Sequence, residues 1–330
     1  MKQPTPMVQI AATGRFLPDP RVSNDDLAQT LDTSDEWIRT RTGIAERRIT
    51  PKEMSAAHMG SEAAKRAMAK AGIEPGEVDI LIVSTATPDR LLPSTACDIQ
   101  AILGCGNAVA FDISAACTGF IYGVSMAEGY IAAGRGDVAL VVSTEKMSAI
   151  VDWEDRATAV LFGDGAGAAV LRRSDGDRGI LSSHLRSDGN LAELLYRPGG
   201  GASEPLSEEV LTSRRHLMRM EGREIFKNAV RSMAEGCDQA LQKAGLTSDD
   251  VHLLVPHQAN IRIIQSTAKY ANIPMERVFV NVDRYGNMSS ASIPVALDEA
   301  QEEGRIKPGD HILTVAFGAG LTWGAMALRW

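Results

Sequence analysis

Short β-branched runs alternate along this chain with longer stretches whose apolar residues recur every three or four positions. Val78-Asp79-Ile80-Leu81-Ile82-Val83 and Val138 to Val142 are nearly continuous apolar runs, and so are Val251 to Val255 and Ile312 to Val315. Such runs predict buried strands. Ser55 to Ala71, Gly119 to Ala133 and Arg223 to Ala244 carry the helical period instead. Strands separated by helices predict an α/β protein.

The pattern repeats. Lys70-Ala71-Gly72-Ile73, followed by Val78 and Leu81, returns as Lys243-Ala244-Gly245-Leu246, followed by Val251 and Leu254, displaced by 173 residues. The same displacement carries Gly136-Asp137 onto Gly309-Asp310, each opening a strand. A period of half the chain is too long for a solenoid. It fits duplication of one α/β unit, with the halves packed together. The polar run Arg172 to Arg178 is the expected boundary, giving halves 1–175 and 176–330. Arg197 to Pro205 reads as a long loop inside the second half.

With 330 residues, the chain is long enough for one large core or two smaller ones. A hydrophobic fraction of 44% and a net charge of −8 argue against disorder. The absence of a basic tract argues against nucleic acid as a partner. Ile113 to Ala127 is apolar but rich in Gly, Ser and Thr and bounded by Asp112 and Glu128, so no membrane span is expected. The first residues, Met1 to Pro6, lack the apolar core of a signal peptide, and the cytoplasm is the expected compartment. Cys97, Cys105, Cys117 and Cys237 form no C-x-x-C pair, so no metal site is expected.

Three positions carry candidate chemistry. Cys117 follows an apolar strand and the small residues Ser114-Ala115-Ala116, and opens a helix. A helix N-terminus would lower its thiol pKa and offer a backbone N–H; a buried cysteine at a tight junction is the alternative. His257 follows the strand Leu253-Leu254-Val255-Pro256, at the strand end where open α/β sheets place their chemistry. Asn287 lies in Tyr285-Gly286-Asn287-Met288-Ser289-Ser290, which as a bare pattern is also a helix cap. The displacement of 173 takes Cys117 to Ser290 and Ser84 to His257, so the nucleophile of one half faces polar side chains of the other. This supports a Cys–His–Asn site. The other five histidines read as structural or solvated, with His184 and His216 in polar contexts. Gly163-Asp164-Gly165-Ala166-Gly167 lacks the lysine of a phosphate loop and reads as close backbone packing; Phe317-Gly318-Ala319-Gly320 can aim an N–H at an oxyanion or be a plain turn.

A papain-like hydrolase also runs Cys, His, Asn in order, but its local signature around the cysteine is absent here. The segments Asp112 to Phe120, Pro256-His257-Gln258-Ala259-Asn260 and Tyr285 to Ser292 closely resemble the β-ketoacyl-acyl carrier protein synthase III family, as do Asp35 to Ile44 and Phe317 to Gly324. The resemblance covers nearly the whole chain. It implies a thiolase fold, in which duplicated α/β halves form a five-layer α-β-α-β-α sandwich. It further implies that Cys117 is acylated by an acyl-CoA, that His257 and Asn287 stabilise the enolate formed as malonyl-acyl carrier protein loses CO₂, and that the Cys117 and Ala319 N–H groups form the oxyanion hole. By the same resemblance Thr33, Trp37, Arg41, Arg156 and Asn260 would bind CoA, and Lys227, Gln258 and Arg262 the acyl carrier protein. Leu161 and Phe317 would line the acyl pocket, closed by Leu92 from the other subunit of a homodimer. The family uses neither metal nor cofactor. Leu92, smaller than the Phe of an acetyl-specific pattern, would leave room for longer or branched primers as well as acetyl, unless Leu91 or another neighbour fills the gap. Relatives of this kind also serve secondary metabolism; a thiolase proper would need a second cysteine near the C-terminus, where Phe317 to Gly324 has none.

Overall fold

The computed structural model describes residues 7–174 and 176–330. Asp175, where the sequence places the boundary between halves, lies outside the described residues, as do Met1 to Pro6.

Nine strands build two sheets: β1 (Val8–Phe16), β2 (Ile80–Ser84), β3 (Val109–Ile113), β4 (Val138–Glu145), β5 (Gly165–Arg173), β6 (Gly179–Ser187), β7 (Leu253–Pro256), β8 (His311–Gly318) and β9 (Thr322–Arg329). The first sheet has the order β1-β5-β4-β2-β3, with β4, β2 and β3 parallel and β5 antiparallel to both its neighbours. The second has the order β6-β9-β8-β7, with β8 and β7 parallel and β9 antiparallel to both its neighbours. The two orders are the same, except that the fifth position of the second sheet is reduced to one parallel bridge, Leu254 to Val278. A displacement of 173 lays β4 residue for residue on β8.

Among the described residues, seven helices of eight or more residues pack around these sheets: α1 (Asp35–Thr42), α2 (Ala56–Ala71), α3 (Thr95–Leu103), α4 (Gly119–Ala132), α5 (Gly222–Ala244), α6 (Ile261–Tyr270) and α7 (Ser292–Glu302). Strand side chains alternate between faces, and the alternation sorts the core into layers. Ile80 and Ile82 pack inward with α4 and α7 residues such as Val124 and Leu297, and Leu253 and Val255 meet the same cluster from the second sheet. Leu81 and Val83 point the other way, onto α2 and α3 through Met59 and Ile99. Leu254 and Leu313 point onto α5 and α6 through Met233 and Ile264. The result is five layers, helix–sheet–helix–sheet–helix, with α4 and α7 in the middle.

That central position explains two sequence features. Every residue from Ser292 to Ala300 is buried, including two acids. Buried carboxylates need partners, and Asp298 has Arg15, Lys70 and Thr13 while Glu299 has Asn281, Arg284 and Tyr285. The Gly163–Gly167 run is close packing, as expected: a Cβ on Gly165 would sit 2.6 Å from Met288 Sδ, and one on Gly167 2.7 Å from Pro294 Cγ. The run also opens β5, a strand the apolar pattern does not reveal. The matched ends of α2 and α5 have one cause: Gly72 (φ 66°) and Gly245 (φ 69°) close them in the left-handed region.

Candidate active site

Cys117 sits in a single 3₁₀ turn, Ala116–Thr118, between β3 and α4. Ala116 takes φ 44°, a left-handed conformation costly for a residue with a Cβ. The turn closes tightly because α4 starts with glycine: a Cβ on Gly119 would overlap the Ser84 hydroxyl. The thiol is 7% exposed and its sulfur lies 3.6 Å from Ser289 Oγ. Burial pushes its pKa up to about 12, only partly opposed by the Ser289 bond. Desolvation of the thiolate thus works against the lowering that a helix N-terminus supplies.

His257 is held where β7 ends. Its N–H donates to Val315 O at 2.7 Å, and its Nδ1 is 2.6 Å from Ser292 Oγ at the start of α7. Burial pulls the imidazole pKa down to about 3, so the ring is neutral at ordinary pH. Asn287 is tied to the first half by its N–H donating to Leu161 O and its O accepting from Gly163 N–H. Its Oδ1 accepts the Ser289 N–H at 2.8 Å, which leaves the amide Nδ2 as the group free to serve the cavity.

These three side chains line one cavity of about 550 Å³. Leu161 and Phe317 are in its wall, together with Phe162 and Met220. Arg41, Asn260, Lys227 and Arg262 also line it, joined by Arg223, which the sequence reading missed. Asn260 caps α6 through Oδ1, accepting from Ile263 N–H. Lys227 pairs with Glu224 at 2.7 Å, and Arg262 stacks on Phe226 at 5.4 Å. Two guanidinium groups, Arg41 and Arg156, each lie 4.7 Å from the Trp37 ring centre. Arg156 is anchored by Asp32 O. Thr33 is half-buried with its hydroxyl unpartnered, and does not reach the cavity wall.

Gly318 faces the Cys117 amide: a Cβ there would stand 2.7 Å from Cys117 N. Only glycine leaves this space open. Ala319 follows it, outside the cavity wall, with its carbonyl accepting from Thr322 Oγ1. Leu92 does not reach its own chain's cavity and is 86% exposed.

One sequence reading needs correction. Gln258 is fully buried, donates to Pro256 O and Phe279 O, and accepts from the Asn281 and Val282 N–H groups. With every polar atom engaged inside the protein, it has no surface to offer a carrier protein. His184, read as structural or solvated, is structural: it is 2% exposed, with both ring nitrogens unpartnered. Reasoning from sequence also passed over Ser289, Ser292 and Glu145, although the small-residue turn after Asn287 and an acid ending an apolar strand were visible signals.

Among the described residues no group of three or more His, Cys, Asp or Glu side chains could hold a metal ion, and no helix is long and apolar enough to cross a membrane.

Comparison with known proteins agrees with this geometry. The family described as 3-oxoacyl-[acyl-carrier-protein (ACP)] synthase III matches residues 111–189, and its C-terminal counterpart matches residues 241–330. A β-ketoacyl-[acyl-carrier-protein] synthase III of Symbiobacterium thermophilum is 53% identical over 323 residues, 98% of each chain. The crystal structure of the 3-oxoacyl-[acyl-carrier-protein] synthase III of Aquifex aeolicus superposes with a TM-score of 0.91 at 49% identity, covering 98% of this chain and 100% of that one. The priming β-ketosynthase of the R1128 polyketide pathway superposes equally well, TM-score 0.91, at 36% identity, covering 99% of this chain and 98% of that one. Sequence, fold and cavity thus converge on one assignment: this chain belongs to the β-ketoacyl-[acyl-carrier-protein] synthase III family of thiolase-fold acyltransferases.

Proposed function

We propose that the protein condenses an acyl-CoA primer with malonyl-acyl carrier protein, the step that initiates fatty acid synthesis, through Cys117, His257 and Asn287. The observation that carries this reading is the donor state of the site. Asn287 has its oxygen occupied and its Nδ2 free, and His257 is neutral, so both can donate to a thioester oxygen without competing as strong bases.

In the first step the Cys117 sulfur forms a bond to the acyl carbon, the carbon–sulfur bond to CoA breaks, and the thiol proton leaves with CoA. Gly318 keeps space beside the Cys117 N–H, which with the Ala319 N–H would receive the oxyanion. In the second step the malonyl carbon–carboxylate bond breaks and its electron pair becomes an enolate held by His257 and Asn287. Its carbon attacks the acyl group, the bond to Cys117 breaks, and a proton from solvent restores the thiol. Ser292 Oγ lies 2.6 Å from His257 Nδ1 and 2.9 Å from Ser289 O; for His257 to donate from Nε2, the Ser292 hydroxyl would give its one proton to Nδ1 instead of to Ser289 O.

Trp37, Arg41, Arg156, Asn260 and Thr33 would receive the CoA nucleotide and its arm, the Trp37 ring having two cations suited to phosphate beside it. Lys227 and Arg262 would meet the acidic carrier at the mouth. The halves 1–175 and 176–330 would be the two copies of the duplicated unit. The working form would be a homodimer: β3 is an unpaired edge with Val109 and Phe111 exposed, and Leu91 and Leu92 stand 80% and 86% exposed. Leu92 would then close the partner's acyl pocket and admit primers longer than acetyl. Four free thiols suit a reducing cytoplasm.

The test is mass spectrometry after brief incubation with single acyl-CoAs from C2 to about C12, beside Cys117→Ala. Label confined to the Cys117 peptide is expected, with acceptance extending beyond C2. A strict acetyl preference would overturn the Leu92 assignment. Labelling by acyl-carrier proteins alone would overturn the CoA assignments, and no labelling by either donor the function itself. The likeness to the R1128 priming enzyme keeps a role in secondary metabolism as the second reading, favoured if short straight primers are poor donors.

A further inference from the structure

Glu145 ends β4 with a fully buried side chain whose hydrogen-bond partners are all uncharged. One carboxyl oxygen accepts from the Ala86 N–H at 3.0 Å and the Thr87 hydroxyl at 3.1 Å. The other accepts from the Ser290 hydroxyl at 2.7 Å and the Ser290 N–H at 3.3 Å. Four donors compensate the burial of the acid. They also tie the loop after β2, in the first half, to the turn Ser289–Ala291 in the second.

The displacement of 173 gives this arrangement a counterpart. It takes Glu145 to Gly318 and Cys117 to Ser290. Where Gly318 leaves space beside the Cys117 amide, Glu145 fills the equivalent space and sets a carboxyl oxygen on the Ser290 amide. The second half thus carries a copy of the oxyanion site already occupied by the protein's own acid. The turn so pinned touches all three candidate groups. Ser289 Oγ meets the Cys117 sulfur, Ser289 N–H holds Asn287 Oδ1, and Ser292 Oγ holds His257 Nδ1.

We propose that Glu145 is a positioning residue: seated in the second half's counterpart of the oxyanion site, its carboxyl group fixes the Ser289–Ser292 turn and so aims His257 and Asn287. The proposal rests on the condensation reading above and deepens it. The position of Cys117 depends on Glu145 less, because its own turn is built by Ala115 to Gly119 and only its sulfur meets Ser289; the charge of Glu145 acts on the thiol by raising its pKa, an effect its removal relieves. Loss of Glu145 therefore strikes decarboxylation, which uses His257 and Asn287, harder than acylation of Cys117.

The experiment compares wild type, Glu145→Gln, Glu145→Ala and Ser290→Ala in two half-reactions. One is transfer of an accepted acyl group from CoA to Cys117, followed by intact mass; the other is CO₂ release from malonyl-acyl carrier protein by the pre-acylated enzyme. A misplacement of about 1 Å can cost about 100-fold. CO₂ release is expected to fall at least about tenfold in Glu145→Ala, with acylation changed less than about threefold and KM for acyl-CoA unmoved. Glu145→Gln, which keeps the shape and one acceptor, falls between. Ser290→Ala removes one donor, follows the same selectivity with a smaller loss, and serves if Glu145→Ala does not fold. CO₂ release within about twofold of wild type in all folded variants overturns the proposal, and so does an equal fall of both half-reactions. A wild type that performs neither half-reaction overturns the condensation reading itself and this proposal with it.

Discussion

The turns Ala116–Thr118 and Ser289–Ala291 are the same structure made twice. Each follows a parallel strand position, opens a buried central helix, and begins with a non-glycine residue in the left-handed region, Ala116 at φ 44° and Ser289 at φ 48°. They differ in what surrounds them. Around the first, Gly119 and Gly318 remove side chains, leaving Cys117 with an open amide and access to the cavity. Around the second, the equivalent positions are Ser292 and Glu145, and both are filled and hydrogen-bonded. A duplicated scaffold thus yields one turn emptied for a substrate and one turn packed to hold side chains. The difference between them is made by subtraction at two glycines.

The strongest way to break this comparison is to refill the emptied turn. Gly318→Ala would place a Cβ 2.7 Å from Cys117 N, against backbone that cannot yield. Blocking one oxyanion donor costs about 100- to 1000-fold. Acylation of Cys117 by acyl-CoA is expected to fall by that order, read as the rate of mass gain. CO₂ release, for which the proposed mechanism uses His257 and Asn287, should fall far less in enzyme acylated by long incubation. Equal losses in both would mean that Gly318 is only a packing position. Gly119→Ala sharpens the comparison through stability instead. Its φ of −57° is helical, so Ala would gain about 1 kcal/mol in propensity, but its Cβ would overlap Ser84. Overpacking of this kind costs up to about 3 kcal/mol, leaving a net loss of about 2 kcal/mol, measurable as a lower urea midpoint. An unchanged midpoint would mean that Ser84 has room to turn away.

How much of this was legible in the sequence follows from where each feature's cause lies. Parallel strands such as Ile80–Ser84 and the helices between them were legible, because their burial is written as local apolar runs and periods. The antiparallel strands β1, β5, β6 and β9 were not. Gly165–Arg173 and Thr322–Arg329 are rich in Gly and Ala, because neighbouring chain lies too close for larger side chains, and small residues carry no alternation. Cys117, His257 and Asn287 each sit in a short motif, so local reading found them, and the repeat brought them together. Glu145 gains its meaning from Ala86, Thr87 and Ser290, which no local window contains. Gln258 misled for the opposite reason: it stands beside His257 in a motif of site residues, yet its side chain turns inward to brace the backbone at Asn281.

The two halves should also part company in acid. Ser84, the counterpart of His257, cannot titrate near neutrality, whereas His257 is a buried base whose pKa in the fold is about 3 against about 6.5 when unfolded. The sign follows from proton uptake. Between these values the unfolded chain binds the proton and the folded chain does not, so the stability attached to this group is full above pH 6.5 and falls as pH drops towards 3. At pH 5 the loss from His257 alone is about 2 kcal/mol, at 1.36 kcal/mol per unit. His184, whose pKa is also lowered by burial, pulls in the same direction. Urea unfolding at pH 7.5 and pH 5.0 should therefore show a smaller difference in His257→Gln than in wild type, by about that 2 kcal/mol. Parallel behaviour of the two proteins would mean that His257 takes up its proton in the fold as readily as out of it. The ring would then be a cation in mild acid, and its place as a neutral donor to the enolate would have to be given up.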